Sequence, residues 1–292
     1  MKLLARVPAT SANLGPGFDC LGLALSLHNE VVLDTDAAPG VSWEGEGATE
    51  LPTDGSDMVS LAMAHMARQA GLDLPPLHLH GVNRVPLERG LGSSAAAAVA
   101  GVMLAAELLD LGLTGEGGDL HALLVEATSI EGHPDNAAPA IYGGFTSADG
   151  EAPPVRLDPH PDIRPVALIP GGVRLPTSEA RRVLSQEVSL IDAVFNLRRT
   201  AQAVVAFTQD PKLLAVALED RLHQDARLEL VPVVREAFER LRSQGIPVCV
   251  SGAGPTLLAF PNPDTSLPGL GSGWRAVPLS PESDGAQVSP AR

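Results

Sequence analysis

Val85-Pro-Leu-Glu-Arg-Gly-Leu-Gly-Ser-Ser-Ala-Ala-Ala-Ala-Val-Ala-Gly101 reads as a tight glycine turn, Gly90 and Gly92, running at once into the first turn of an alanine-rich helix. Glycine lets a backbone bend and approach a ligand closely, and the first N–H groups of a helix have no partner inside it. An anion would satisfy them, and the helix dipole adds about 0.3–1 kcal/mol in its favour. Ser93 and Ser94 stand where a hydroxyl can cap the helix, touch a phosphate or ligate a metal. A glycine turn that merely caps a core helix is the plain alternative.

The spelling Gly90-Leu-Gly92-Ser-Ser-Ala95 also fits a dinucleotide fingerprint, but its context does not. A dinucleotide turn leaves the end of a central strand, whereas Asn83 to Arg89 intervenes here and Pro86 cannot join a central ladder. The Gly-Lys-Ser/Thr of a Walker loop is absent, as are the flanking glycines of a nucleophile elbow.

The chain has 292 residues, 45% of them hydrophobic, enough for about two packed domains. No apolar run approaches the roughly 20 residues that span a bilayer, and the N-terminus lacks the apolar stretch of an export signal, so a cytoplasmic protein is expected. Cys20 and Cys249 show neither pairing nor metal spacing and read as reduced thiols. A net charge of −15 argues against nucleic acid or an anionic membrane as partner. Lys2 and Lys212 are the only lysines beside eighteen arginines, and neither lies in a glycine-rich segment. A bound phosphate must therefore draw its counter-charge from backbone N–H groups, arginine or a divalent cation.

Along the chain, Lys2–Val7 and Glu30–Thr35 read as strands flanking a polar, glycine-rich loop, Pro8 to Asp19, and an apolar segment, Cys20 to Leu27. A helix from Ser56, capped by that serine, ends at Gly71. His78 and His80 alternate with leucines and read as the wet face of a strand. The opening helix runs to about Leu111 and a second from Asp119 to Ile130, before a proline-locked polar turn, Glu131-Gly-His-Pro-Asp-Asn-Ala-Ala-Pro-Ala140. Tyr142 to Thr146 enters the core as a strand. Composition shifts to Pro, Asp and Gly between Gly150 and Pro165, which places a boundary there and gives domains of 1–155 and 156–292. The second half mixes strands (Val166–Ile169, Val248–Ser251, Thr256–Phe260) with helices at Glu179–Thr208, Pro211–Gln224 and Leu228–Gln244, an α+β arrangement. The tail from 261 reads as loops around one strand near Trp274–Leu279, and Ser251-Gly-Ala-Gly-Pro-Thr256 is a third glycine-rich loop.

Pro8–Asp19, Val85–Ala98 and Ser251–Thr256, in this order, resemble the three motifs of the GHMP small-molecule kinases, and the likeness spans nearly the whole chain. Pro8–Asp19, with Glu131–Ala140 and Thr177-Ser-Glu-Ala-Arg181, is similar to the homoserine kinase branch in particular. The resemblance implies an N-terminal half like domain 2 of ribosomal protein S5, a ferredoxin-like C-terminal half, and ATP between them. It implies ATP contacts at Pro86, Arg89, Gly90, Leu91, Gly92, Ser93, Ser94, Ala95 and Ala96, with Mg²⁺ held by Ser94 and Glu131. For the substrate, L-homoserine on the route to threonine, it points to Asn13, Asp19, His133, Thr177, Arg181 and Arg227, with Asp135 and Asn136 as catalytic residues. A homodimer is implied at the family level.

The implied chemistry suits the residue types, because arginine forks bind a carboxylate while Asp19 or Asp135 can accept from an ammonium. Related kinases place an aspartate base where Asn136 stands, so the expectation is catalysis by positioning, with Asp135 the remaining candidate base. Asp57 stands where an asparagine commonly helps hold the nucleotide base, and Arg182 competes with Arg181 for the carboxylate. Another kinase of the superfamily and a non-catalytic sensor are the rival readings. Two arginine anchors disfavour a neutral sugar, and intact Ser94, Glu131 and Asn136 disfavour a sensor.

Overall fold

β1 (Lys2–Ala12) and β2 (Leu21–Asp34) pair antiparallel along almost their whole length in the computed structural model, which describes residues 1–262 and 264–291. Leu3, Ala5 and Val7 on β1, and Val31 and Leu33 on β2, are buried between more exposed neighbours, the period-2 pattern of a sheet packed on one face. Both strands run further than expected, so only residues 13–20 remain as the connecting loop. The register shifts between Pro8 and Ala9, where proline has no N–H to give the ladder. β3 (Gly40–Gly45) is parallel to β4 (His78–Asn83), and β4 is antiparallel to β2.

Between β3 and β4 lies α1 (Met58–Ala70), which Asp57 caps in place of the expected Ser56. The Asp57 carboxylate accepts from Ser60 N at 3.0 Å and from Ser60 Oγ at 2.6 Å, and Gly71 closes the helix in a left-handed turn. α2 (Ser93–Leu108), α3 (Leu120–Glu131) and α4 (Pro134–Tyr142) follow. The expected proline-locked turn is thus the start of a helix: Pro134 takes its first position, where a missing N–H costs nothing. Alanines along α2 pack with Val59, Met63 and Leu123 over the inner face of the sheet. β5 (Phe145–Ser147) pairs with β2 and β6 (Val155–Leu157) with β5.

β7 (Val166–Pro170) leads to α5 (Thr177–Arg182) and α6 (Leu190–Thr208), two helices where one was expected from Glu179 to Thr208. Ser189 caps α6 by accepting from Asp192 N. A 3₁₀ turn (Pro211–Leu213), α7 (Leu214–Ala217), α8 (Gln224–Glu229) and α9 (Pro232–Ser243) replace the other two long helices. β8 (Val248–Val250), β9 (Leu257–Ala259) and β10 (Trp274–Pro278) join β7 in an antiparallel sheet of order β10-β7-β9-β8. Leu168, Val248 and Leu257 face α9, while Ala167, Ile169 and Leu258 face Phe207 of α6 together with Leu21 and Leu23 of the first sheet. Phe207 stacks on Phe145 at 5.2 Å between ring centroids and meets Phe260 edge-on. The two sheets therefore share a core.

The expected boundary at 155/156 falls within β6. The tail also holds a second strand, β11 (Gln287–Pro290), antiparallel to β1, so the last strand of the chain belongs to the first sheet and not to the second. Among the described residues no helix is long and apolar enough to cross a membrane.

Candidate active site

Short backbone contacts tie the three glycine-rich segments together. Thr10 N donates to Leu91 O at 3.1 Å, Gly252 N to Ala12 O at 3.1 Å, and Thr256 N to Arg89 O at 3.3 Å. Ser251 Oγ, 2.8 Å from Ser11 Oγ, donates to Gly90 O at 2.6 Å. Two glycines are obligatory. Gly90 and Gly92 sit at φ 74° and 69°, and a β-carbon would lie 2.1 Å from Ser251 O at the first and 2.0 Å from Thr10 Oγ1 at the second. Asn13, Asp19 and Glu88 adopt the left-handed region without being glycine, and such strain gathers where the surrounding fold imposes it.

These loops enclose a cavity of about 300 Å³, into which the starts of α2, α4 and α5 open through Ser93, Asp135 and Thr177. Their unpartnered N–H groups and positive dipole ends bias it toward anions. Asn13, Asp19, His133, Asp135, Asn136, Thr177, Arg181 and Arg227 all line it, as do Arg89, Gly90, Gly92, Ser93, Ser94, Ala95 and Glu131. Three of the expected ATP contacts do not line this cavity: Leu91 is buried in the shared core, Pro86 borders a separate cleft beside Trp274, and Ala96 lines the adjoining apolar pocket. Arg182 is exposed outside the cavity, which settles the arginine lining it as Arg181.

One end of the cavity is charged. Arg181 forks onto Asp19 with Nη2–Oδ1 at 2.6 Å and Nη1–Oδ2 at 3.0 Å. Arg227 is 3% exposed; burial and the nearby Arg181 lower its pKa to about 10, so it stays a cation at neutral pH. Both guanidinium Nε atoms are buried without a protein partner. Asp135 is 4% exposed, and burial, helped by Asp19 and opposed by Arg181 and Arg227, pushes its carboxyl up to about 6. Burial, then Arg181, pulls His133 below its ordinary value. Asn136 Oδ1 accepts from Thr10 Oγ1 at 2.9 Å, leaving the amide N–H₂ as its donor side. The amide of Asn13 donates to Gly252 O and accepts from Asp19 N, which ties the loop together and leaves it one further N–H and one lone pair at the cavity wall.

At the other end Ser94 Oγ donates to Glu131 Oε1 at 2.6 Å, and burial raises the Glu131 carboxyl against that bond. Beyond Ser93 and Ser94 opens a second pocket of about 320 Å³, walled by Val31, Trp43, Leu51, Met58, Val59 and Leu87. Asp57 borders it with its carboxylate already committed to capping α1. The ion pair between Arg174 and Glu50 stands at the rim.

Sequence reasoning missed Glu88, Pro176, Gly252 and Ala253 as lining residues, and Thr10 as the partner of Asn136. The third glycine-rich loop signalled the 252–253 pair; nothing local signalled Thr10.

The GHMP kinases N terminal domain model matches residues 57–144 and the GHMP kinases C terminal model residues 200–276. The chain is 46% identical to a homoserine kinase of Clavibacter michiganensis over 89% of this chain and 82% of that one. It is 43% identical to a homoserine kinase of Streptomyces avermitilis over 98% and 95%. The crystal structure of homoserine kinase from Cytophaga hutchinsonii superposes with a TM-score of 0.83 at 26% identity, covering 99% of this chain and 97% of that chain.

Proposed function

We infer how this cavity works from one premise: the chain belongs to the homoserine kinases of the GHMP kinase family and phosphorylates the hydroxyl of L-homoserine with ATP as donor. The observation that carries the reading is the juxtaposition, in one cavity, of two arginines and two aspartates with a glycine turn at a helix start. A zwitterion needs the first group and a triphosphate the second.

The homoserine carboxylate docks on Arg227 and Arg181 and its ammonium on Asp19 and Asp135, so a site of nearly balanced charge receives a ligand of balanced charge. His133 and Thr177 flank it. The side chain then extends toward Asn136, whose N–H₂ orients the hydroxyl for in-line attack on the γ-phosphorus. Backbone N–H groups of the Gly90–Ala95 turn hold the phosphates, and the apolar pocket beyond receives the base. One observation favours a second role: a carboxyl near 6, as at Asp135, is matched to accepting a proton at neutral pH.

Ser94 and Glu131 fit Mg²⁺, being two adjacent oxygen donors of which one is a desolvated carboxylate beside the phosphate turn. Held by these two residues, the ion would supply charge neutralisation on the transferring group. The reading includes a cytoplasmic enzyme, supported by the unpaired Cys20 and Cys249, and a homodimer. An apolar stripe along α6, with Leu190 79% and Leu197 71% exposed, supports the latter, and light scattering tests it.

An ADP-release assay with Mg·ATP and homoserine, serine, threonine, mevalonate and galactose tests the whole. Turnover is expected with homoserine foremost. Good turnover of another compound and none of homoserine overturns the substrate and spares the kinase.

A further inference from the structure

His223 lies behind the cavity, completely buried at the start of α8, and the homoserine site as described above makes no use of it. Its two ring nitrogens have opposite partners. Nε2 sits 2.7 Å from the carbonyl oxygen of Gly15, which can only accept, so Nε2 carries the proton. Nδ1 sits 3.1 Å from Nη1 of Arg227, which can only donate, so Nδ1 offers its lone pair. The ring is thus held neutral in a single tautomer by geometry. Burial acts in the same direction, keeping its pKa below the ordinary value.

The contact has a consequence for Arg227. Nη1 also donates to Gly252 O at 2.8 Å, so one nitrogen of the guanidinium is held from two directions while the buried Nε has no protein partner. Fixing Nη1 leaves the opposite edge of the fork for a ligand. Phe18 supports the plane, its ring centroid lying 5.3 Å from the Arg227 guanidinium and 5.3 Å from the His223 ring. The anchor of His223 is itself fixed. Asp220 accepts from the N–H groups of His223 and Gln224 and from Asn196 Nδ2, which also reaches Pro16 O in the loop that carries Gly15.

We propose that His223 is a positioning residue of the homoserine site: its Nδ1 lone pair, held in place from Gly15, aims the free edge of Arg227 at the substrate carboxylate. The proposal rests on the reading that Arg227 binds that carboxylate. Two substitutions separate the ring's functions, because an asparagine amide reaches about as far as Nδ1 and a glutamine amide about as far as Nε2. His223→Gln keeps a donor for Gly15 and loses the acceptor for Arg227; His223→Asn does the reverse.

Steady-state kinetics of the full chain with both variants and with Arg227→Lys tests this. His223→Gln is expected to raise the homoserine KM about tenfold with the ATP KM unchanged, and His223→Asn to restore it to within about threefold. Equal homoserine KM values in the two variants, or an ATP KM that moves as much, overturns the proposal. An Arg227→Lys enzyme with unaltered homoserine KM instead removes the reading beneath it. Should neither histidine variant fold, ¹⁵N NMR of the unsubstituted protein decides. An unprotonated Nδ1 that shifts when homoserine is added supports the proposal, and a protonated or unresponsive one overturns it.

Discussion

The two ends of the cavity solve opposite problems with different materials. At the homoserine end the working groups are ionised side chains sunk in the protein: Arg227 and Asp135 are 3% and 4% exposed, and Arg181 is forked onto Asp19. At the proposed phosphate end they are backbone N–H groups and two serine hydroxyls set on a glycine turn and a helix of alanines, with Glu131 reaching in from the end of α3. Buried charges are expensive unless partnered, so the homoserine end must be assembled by many elements, namely the 13–20 loop, α4, α5 and α8. Backbone donors come with the helix and ask only that the turn be free of β-carbons. On the proposed reading, selectivity for a small zwitterion is placed in buried groups assembled from many elements, while triphosphate binding rests chiefly on one glycine turn and one helix start.

If the phosphate end is local geometry, one methyl group should break it. Gly92→Ala forces a β-carbon against Thr10 Oγ1 and to 3.2 Å from Asn136 Oδ1 at a left-handed φ, and kcat is expected to fall at least about 100-fold. Steady-state assays read this directly, and a kcat within a few-fold of the parent would show that the turn tolerates displacement. At the charged end, Arg227→Leu removes one anchor and should raise the homoserine KM about 10- to 150-fold while sparing the ATP KM. A parallel rise in both would erase the distinction between the ends.

Asp135 sharpens the comparison through stability. Its carboxyl is raised from 3.8 to about 6, so the folded state holds a proton that the unfolded state releases, and stability falls as pH rises across that window. Above pH 6 the folded protein bears an ionised, desolvated group. Asp135→Asn should therefore gain stability at pH 8, with a ceiling of about 3 kcal/mol, and gain much less, about 0.5 kcal/mol, near pH 4. Thermal denaturation at both pH values checks the sign, and homoserine turnover by the parent should fall as pH drops below 6. The smallest effect belongs to the rim: Arg174→Ala loses a solvent-screened pair with Glu50, and the ATP KM should change less than about threefold. A larger change would mean that the pair closes over the nucleotide.

Legibility in the sequence followed the same division. The Val85–Gly101 turn could be read from residue types because a glycine turn running into a helix start follows from local backbone chemistry, as Gly90 and Gly92 show. The strands β1 and β2 were read too short, since a strand flanked by proline, serine and threonine shows its extent only when its partner is known. The long helix expected across 183–189 failed for a related reason: Ser189 begins a helix as readily as it interrupts one, and the break places Arg181 over Asp19. Neither His223 nor the pairing of Thr10 with Asn136 carries a local signal, because each acts on a residue that the chain brings near only by folding.

By itself the sequence determined the kinds of groups present: a glycine turn at a helix start with no lysine near it, a serine and a glutamate that carry oxygen donors, and arginines able to fork onto a carboxylate. Helix starts and glycine turns follow from neighbouring residues, so a linear reading reaches them. The tertiary structure decided which arginine lines the cavity, which way the Asn136 amide points, how far Asp135 is desolvated, and that β11 returns to the first sheet. Orientation and desolvation depend on what lies a few ångströms away in space, and Arg227 and Gly252 meet across 25 residues while Thr10 and Asn136 meet across 126.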